Sequence, residues 1–340
     1  MSGQLDLEQR YRRVLRLLPG YYRDRWEEDM VAAFLDSWLT GDPETDEYIM
    51  RAARPSLVEL ASVVGLAARL YLGGAGAPRR YFAWGQAVRG TVLAAVLGNT
   101  LWGLGQFLTL FRTQHVIGGF LAPPGGFWPE EPYLVGGAWA VVFLALLVGD
   151  HRVARVVGAL VAAANLTAVV HAQLSGPAPA PFNSYADWVL VNLAPVLAMA
   201  AFHRDAPPTT RRPWLLALPA CYLLVSAPVL AAEFTGHGDW VPDNPGLCCL
   251  LVALLSLAHA PRAWSRRPGT GVWSLTLVLL AALAGLNRIA TLPFPPEDPR
   301  VISVCLVQLL ILAVAAGLVV PDATRTQAAL PSPPASRSLG

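Results

Sequence analysis

Along the first forty positions apolar side chains recur at helical spacing, and beyond position 86 they fill whole segments. Leu7, Tyr11, Val14, Leu15 and Leu18 share one helical face, with Arg10, Arg12, Arg13 and Arg16 largely off it. Pro19-Gly20 then stops the helix. Tyr22, Trp26, Met30, Ala33, Phe34 and Trp38 make a second stripe, between whose members lies the acidic run Glu27, Glu28, Asp29. Two amphipathic helices joined by Pro-Gly predict an αα-hairpin over residues 1–50, with Trp26 in its core.

The stretch Pro55 to Leu72, PSLVELASVVGLAARLYL, is nearly apolar enough to span a bilayer. Charge decides against it. Crossing would set Arg51 and Arg54 opposite Arg79, Arg80 and Arg89, and would strand Glu59 and Arg69 in hydrocarbon. Residues 51–85 therefore read as a juxtamembrane amphipathic helix and a Gly-rich linker, Gly73-Gly74-Ala75-Gly76. The helix either packs on the hairpin or lies on the membrane surface.

Eight apolar segments follow, at 86–111, 134–149, 153–174, 187–203, 213–233, 246–260, 272–292 and 301–320. Each is near the roughly 20 residues that a spanning helix needs. With the N-terminus inside, the cytoplasmic loops carry Arg152, Arg155, Arg204, Arg211, Arg212, Arg262, Arg266 and Arg267, against Arg112 and Arg300 outside. Trp84, Trp214, Trp264 and Trp273 fall at the inner boundary; Phe127, Trp128, Tyr133, Trp188 and Trp240 fall at the outer one. The expected fold class is all-α: a polytopic membrane helix bundle of eight transmembrane helices over 86–320, with a small cytoplasmic helical hairpin before it. Both termini are expected in the cytoplasm, at a bacterial inner membrane. Residues 321–340, rich in Pro, Ser and Ala, predict a disordered tail.

Composition agrees: 54% of residues are hydrophobic and 14% charged, and the mean hydropathy is +0.45. Charge is concentrated at the front, where residues 1–89 hold 12 of 25 Arg and 12 of 23 acidic residues. That balance argues against nucleic acid as a partner, and leaves the lipid bilayer and a cytoplasmic protein. All the basic residues are Arg, which suggests a high-GC bacterial genome. Cys221, Cys248, Cys249 and Cys305 lie in apolar runs without C-x-x-C spacing and read as small buried hydrophobes. No basic region followed by an apolar stretch opens the chain, so no cleaved signal peptide is expected.

Leu15, Arg16, Leu17, Leu18, Pro19, Tyr22, Arg23, Glu28, Asp29, Met30 and Phe34 follow the pattern L-L-R-L-x-P-x-x-[YF]-R-x-x-x-x-E-[ED]-M. This resembles the short prefix found before the membrane part of many bacterial permease-like proteins. A similar prefix heads multi-pass membrane proteins of actinobacteria, which the chain resembles in layout. The resemblance implies a cytoplasmic helical module, with Arg16, Arg23, Glu28 and Asp29 as its interaction face. Transporter permeases with such a prefix typically carry a large extracytoplasmic domain, whereas the longest outer loop here runs only from Thr113 to Tyr133.

Polar residues inside spans are candidate functional positions because each costs free energy unless paired or wet. Here they are Asn99, Gln106, Asn165, His171, Asn192, Glu233, Asn287, Arg288 and Gln308. Gln106, His171, Glu233, Asn287 and Arg288 fall in outer halves and could line a polar cavity; Glu233 and Arg288 are expected to pair at its mouth if their helices are neighbours. The alternative is interhelical hydrogen bonding with no ligand. His115, His171, Glu233, His237 and Asp239 share the outer side, but Gly236 and Gly238 argue against a helical Glu-x-x-x-His pair, and no metal set is assigned. No G-x-x-x-x-G-K-[ST], G-x-S-x-G or H-E-x-x-H occurs, so neither a cofactor nor a catalytic residue is expected. Three readings of function stay open: a membrane protein whose prefix docks a partner or regulates the membrane domain, a small-solute transporter, and an intramembrane enzyme.

Overall fold

The computed structural model describes residues 7–74, 77–115, 131–175, 185–186, 188–204, 206–235, 243–265, 270–292 and 299–328. Among them all regular structure is helical, and the chain divides into two compact units, Met1–Gly85 and Gln86–Gly340.

The first unit holds α1 (Leu7–Leu15), α2 (Gly20–Trp38), α3 (Pro43–Ala52) and α4 (Leu57–Tyr71). The α1 stripe buries Leu7, Tyr11 and Leu15, with Leu18 just beyond, against Val31 and Phe34 of α2 and Val63, Ala67 and Leu70 of α4. Tyr11 stacks on Phe34 with ring centroids 3.9 Å apart. Of the expected α2 stripe, Phe34 is buried and Tyr22, Met30 and Trp38 pack against this core, joined by Val31 and Leu35, while Trp26 is 40% exposed beneath the Arg25 guanidinium.

Three polar devices fix the connections. Asp42 caps α3, its carboxylate accepting from Thr45 N, and Pro43 supplies the first-turn φ. Arg10 donates to the carbonyls of Arg51 and Ala53 at the end of α3. Ser56 and Glu59 form a capping box at the start of α4, and Glu59 also accepts from Trp38 Nε1 at 3.0 Å, joining α4 to α2. The residues expected as two parts, 1–50 and 51–85, thus share one core, and α4 packs on the helices before it. Burial alone would raise the Glu59 pKa, yet the Ser56 N–H and the Trp38 indole hold it below its ordinary value of 4.5.

The second unit contains most of α5 (Arg79–His115), then α6 (Glu131–Val148), α7 (His151–Ser175), α8 (Val189–Ala201), α9 (Arg211–Thr235), α10 (Asn244–Trp264), α11 (Thr270–Ala290) and α12 (Pro299–Ala328). Helices α5, α7, α10, α11 and α12 are long and apolar enough to cross a membrane; the apolar parts of α6 and α8 are shorter. One core packs Val92, Val96, Trp139, Phe143, Leu146, Val161, Met199 and Phe202 from α5 to α8 and the segment after it. Where α5 meets α6, a Cβ on Gly103 would fall 2.3 Å from the Gly136 backbone, so only paired glycines allow the approach.

A second core, in α10 to α12, uses small residues: Cys249, Ala253, Ala281, Ala284 and Ala315 are buried, as are Ser256 and Ser274. Many large apolar residues of these helices point outward, among them Leu254, Leu255, Leu286, Ile289, Leu306 and Leu310, while Val252, Leu275, Leu277, Leu312 and Val319 are buried. An apolar outer face of this kind around small interior residues suits a lipid-facing surface. Helix α12 continues through Pro321 to Ala328, so residues 321–328, expected to be disordered, are helical. Asp322 holds this end, accepting from Thr326 Oγ1 through its carbonyl and from Ser274 Oγ through its carboxylate. The remainder of the expected tail, 329–340, lies outside the described residues.

Phe34→Ala should destabilise the first unit by about 3 to 5 kcal/mol and Trp26→Ala by less than about 1 kcal/mol in urea unfolding of residues 1–85. Because the Glu59 pKa is depressed by folding, its contribution is present at neutral pH and lost as the pH falls through the folded-state value, below 4.5. Glu59→Gln should flatten that part of the acid unfolding profile.

Candidate functional site

Helices α10, α11 and α12 pack mutually, and each end of their bundle is tied by polar groups. At the end formed by the start of α10, Asp243 is the N-cap: its Oδ1 accepts from Gly246 N at 3.2 Å. Its Oδ2 accepts from Arg288 Nη1 of α11 at 2.5 Å. One carboxylate thus caps one helix and pairs with the next. The partners differ in environment, since the Arg288 side chain is 3% exposed and that of Asp243 is 55% exposed. Gln308 of α12 completes the cluster. Its amide occupies the space beside α10 that a Cβ on Gly246 would fill, 2.6 Å from the amide nitrogen.

Two buried polar atoms of this cluster have no partner, Arg288 Nε and Gln308 Oε1, as has Oδ1 of the adjoining Asn287. Burying such groups unmade costs about 1 to 3 kcal/mol each. Within the cluster they offer one donor and one acceptor beside Asp243, which balances the charge of Arg288, and hydrogen bonding to a small polar group is the chemistry they supply.

At the opposite end of the same bundle His259 (α10), Ser274 (α11) and Asp322 (α12) meet. Ser274 is fully buried; its Oγ donates to Asp322 Oδ2 at 2.7 Å and lies 3.1 Å from His259 Nε2. A hydroxyl has one proton, and here Asp322 takes it, so Ser274 accepts from the imidazole. A histidine that donates to the serine cannot activate it as a base. This trio ties helices together and does not form a hydrolytic triad.

Three asparagines of the first four membrane-domain helices serve neighbouring helices. Pro195 has no N–H, which leaves the carbonyl of Val191 without its helical donor; Asn99 Nδ2 of α5 donates to it at 2.9 Å. The π turn Val189–Leu193 lies at this place. Asn165 of α7 donates to Asn192 Oδ1 at 3.1 Å, and Trp188 Nε1 donates to the Ala162 carbonyl at 2.8 Å. Interhelical hydrogen bonding accounts for Asn99, Asn165 and Asn192.

Of the expected outer cluster, Arg288 lies with Asp243 and Gln308, Asn287 is its neighbour along α11, and His171 is exposed on α7. The side chains of Gln106 and Glu233 fall outside the described residues, as do those of His115, His237 and Asp239. Arg288, expected beside Glu233, pairs with Asp243, whose Asp-Asn-Pro-Gly context, an N-cap before a helix-starting proline, carries the signal for its place. Among the described residues no group of three His, Cys, Asp or Glu side chains could hold a metal ion. On the N-terminal unit Arg16 and Asp29 are exposed, and Arg23 is half-buried with its Nε unpartnered. Glu28 is bound by both terminal nitrogens of Arg12 at 2.7 and 2.8 Å, which holds its carboxyl below the usual range. A comparison with protein-family models, curated proteins and solved structures finds no match to the chain.

Removing Asp243 strands a buried guanidinium, whereas removing Arg288 leaves a carboxylate that can turn to water. Asp243→Asn should therefore cost about 3 kcal/mol and Arg288→Met clearly less, read as thermal unfolding of the detergent-solubilised chain. Equal losses would mean that Arg288 has another partner.

Proposed function

We propose that the protein is an eight-span membrane protein with both termini in the cytoplasm of a bacterium, whose N-terminal helical unit docks a cytoplasmic protein partner. The observation that carries this reading is the contrast between its two units. The first closes large apolar side chains under a charged surface, as proteins in water do; in the second, α10 to α12 bury Cys249 and several Ala and Ser residues and turn many Leu, Ile and Val side chains outward.

Five helices meet the length and hydropathy of a span, and α6, α8 and α9 occupy the other three apolar segments. Eight crossings also put Arg152, Arg155, Arg204, Arg211, Arg212, Arg262, Arg266 and Arg267 on the cytoplasmic side, against Arg112 and Arg300 on the other. On the docking unit, Arg16 and Asp29 are exposed, and resemblance to the prefix of permease-like proteins assigns them to a contact face. The unpartnered atoms of Asn287, Arg288 and Gln308 support a second reading, binding of a small polar solute within the membrane domain.

A reporter that fluoresces only in the cytoplasm should glow when fused after Gly340, whereas activity of an exported phosphatase there would mean an odd number of spans. A photo-crosslinking residue at Arg16 or Asp29 should capture a discrete cytoplasmic protein in cells. If neither position yields a product while the unit remains folded, the docking role is lost.

A further inference from the structure

The charged surface of the first unit is interrupted on one helix. The outer face of α4 carries Leu57, Ala61, Val64, Gly65 and Ala68 at i, i+4, i+7, i+8 and i+11, with Val58 beside them. Leu57 is 83% exposed, Val58 79% and Val64 52%. The single carboxylate of this helix, Glu59, is turned to the opposite side, where it accepts from Trp38 Nε1 and from Ser56 N. A contiguous apolar face without a negative charge marks a surface that meets something other than water.

The place where α4 ends indicates what it meets. Tyr71, Leu72 and Gly73 abut the first turns of α5: a Cβ on Gly85 would fall 1.9 Å from the Leu72 carbonyl oxygen, and one on Gly73 would fall 2.8 Å from Phe82 Cα. The Tyr71 and Tyr81 rings meet edge to face with centroids 5.7 Å apart. All these residues belong to the first unit, and they tie the end of α4 to the foot of a helix long and apolar enough to cross a membrane. Tyr71, Phe82 and Trp84 are exposed there, and tyrosine and tryptophan rings favour the headgroup region. Charge supplies the chemistry of that surface. From Leu60 to Gly85 the chain has no acidic residue and three arginines, Arg69, Arg79 and Arg80, all exposed.

We propose that α4 lies on the bilayer surface at which α5 begins, with its apolar outer face among the acyl chains and Arg69, Arg79 and Arg80 on anionic phospholipid headgroups. An amphipathic helix binds an interface through buried apolar area together with attraction to anionic lipid, and α4 with its flanks offers both. Arginine suits the second task, because its long stem can run along apolar surface while the guanidinium reaches a phosphate. A protein partner could bury the same area, but gives no reason for the face to be fastened to the foot of a span.

The test reconstitutes the full chain into vesicles of phosphatidylcholine, or of phosphatidylcholine mixed equally with phosphatidylglycerol. A benzoylphenylalanine photo-crosslinker stands at Val58, at Val64 or, as the control, at Tyr48, which is exposed on α3. Mass spectrometry then identifies what each position captures. Positions 58 and 64 should give phospholipid adducts and position 48 few or none. Phosphatidylglycerol should raise the yield by at least about threefold, the order expected when several arginines face an anionic surface. Arg69→Gln, Arg79→Gln and Arg80→Gln together should remove that rise and leave the adducts formed in phosphatidylcholine. If the triple variant fails to reconstitute, raised salt on the chain with its arginines intact decides, since screening should suppress the phosphatidylglycerol effect alone. Equal lipid capture at Tyr48 and Val58 overturns the proposal, as does a yield indifferent to phosphatidylglycerol, or a rise that survives removal or screening of the arginines. Adducts at Val58 and Val64 to protein instead of lipid, whether to a second copy or to another part of the same chain, also overturn it.

Discussion

Water is missing from the interior of a bilayer, so every polar group placed there must be completed by another part of the chain. The architecture of the second unit follows from that constraint. Pro195 frees a carbonyl, and Asn99 from another helix completes it. Asn165 completes Asn192, and Trp188 completes a carbonyl of α7. Such bonds are directional, which apolar packing among lipid-like side chains is not, so they select which helices are neighbours.

In α10 to α12 the same constraint acts at two levels. Alanine and serine in the interior bring the helix backbones close, and the proximity lets short side chains reach across. Ser274 can touch both His259 and Asp322 only because three helices converge on it. At the other end Gly246 yields its volume to Gln308 beside the Arg288 to Asp243 pair. The bundle is thus held by packing along its length and by ionic or polar ties at its ends.

Periodicity made much of this visible in advance. The face of α1 was readable because its apolar residues allow one helical stripe, whereas in α2 both Trp26 and Val31 fit the spacing beside Phe34 and Trp38, and only the tertiary core distinguishes them. Helix α3 carries almost no apolar stripe; its signal was the Asp42-Pro43 cap. The end of α12 defeated compositional reasoning because the partner that orders it, Ser274, is 48 residues away. Arg288 and Asn287 stood out as polar residues in an apolar run, but Asp243 did not, since a carboxylate in a turn looks solvated until the helix it caps brings it to a buried guanidinium.

The bond between Asn99 and the Val191 carbonyl also bears on how the protein is made. Donor and acceptor are 92 residues apart, so α5 leaves the ribosome well before the chain that completes its asparagine. Until α8 arrives, Asn99 has no such acceptor, and the carbonyl that Pro195 exposes has no donor until it finds α5. Each defect is tolerable only for a limited time in lipid. Assembly of the first four membrane-domain helices is therefore a step that waits on synthesis of the fourth, and a ribosome that stalls between α7 and α8 leaves behind a helix still carrying an unanswered amide.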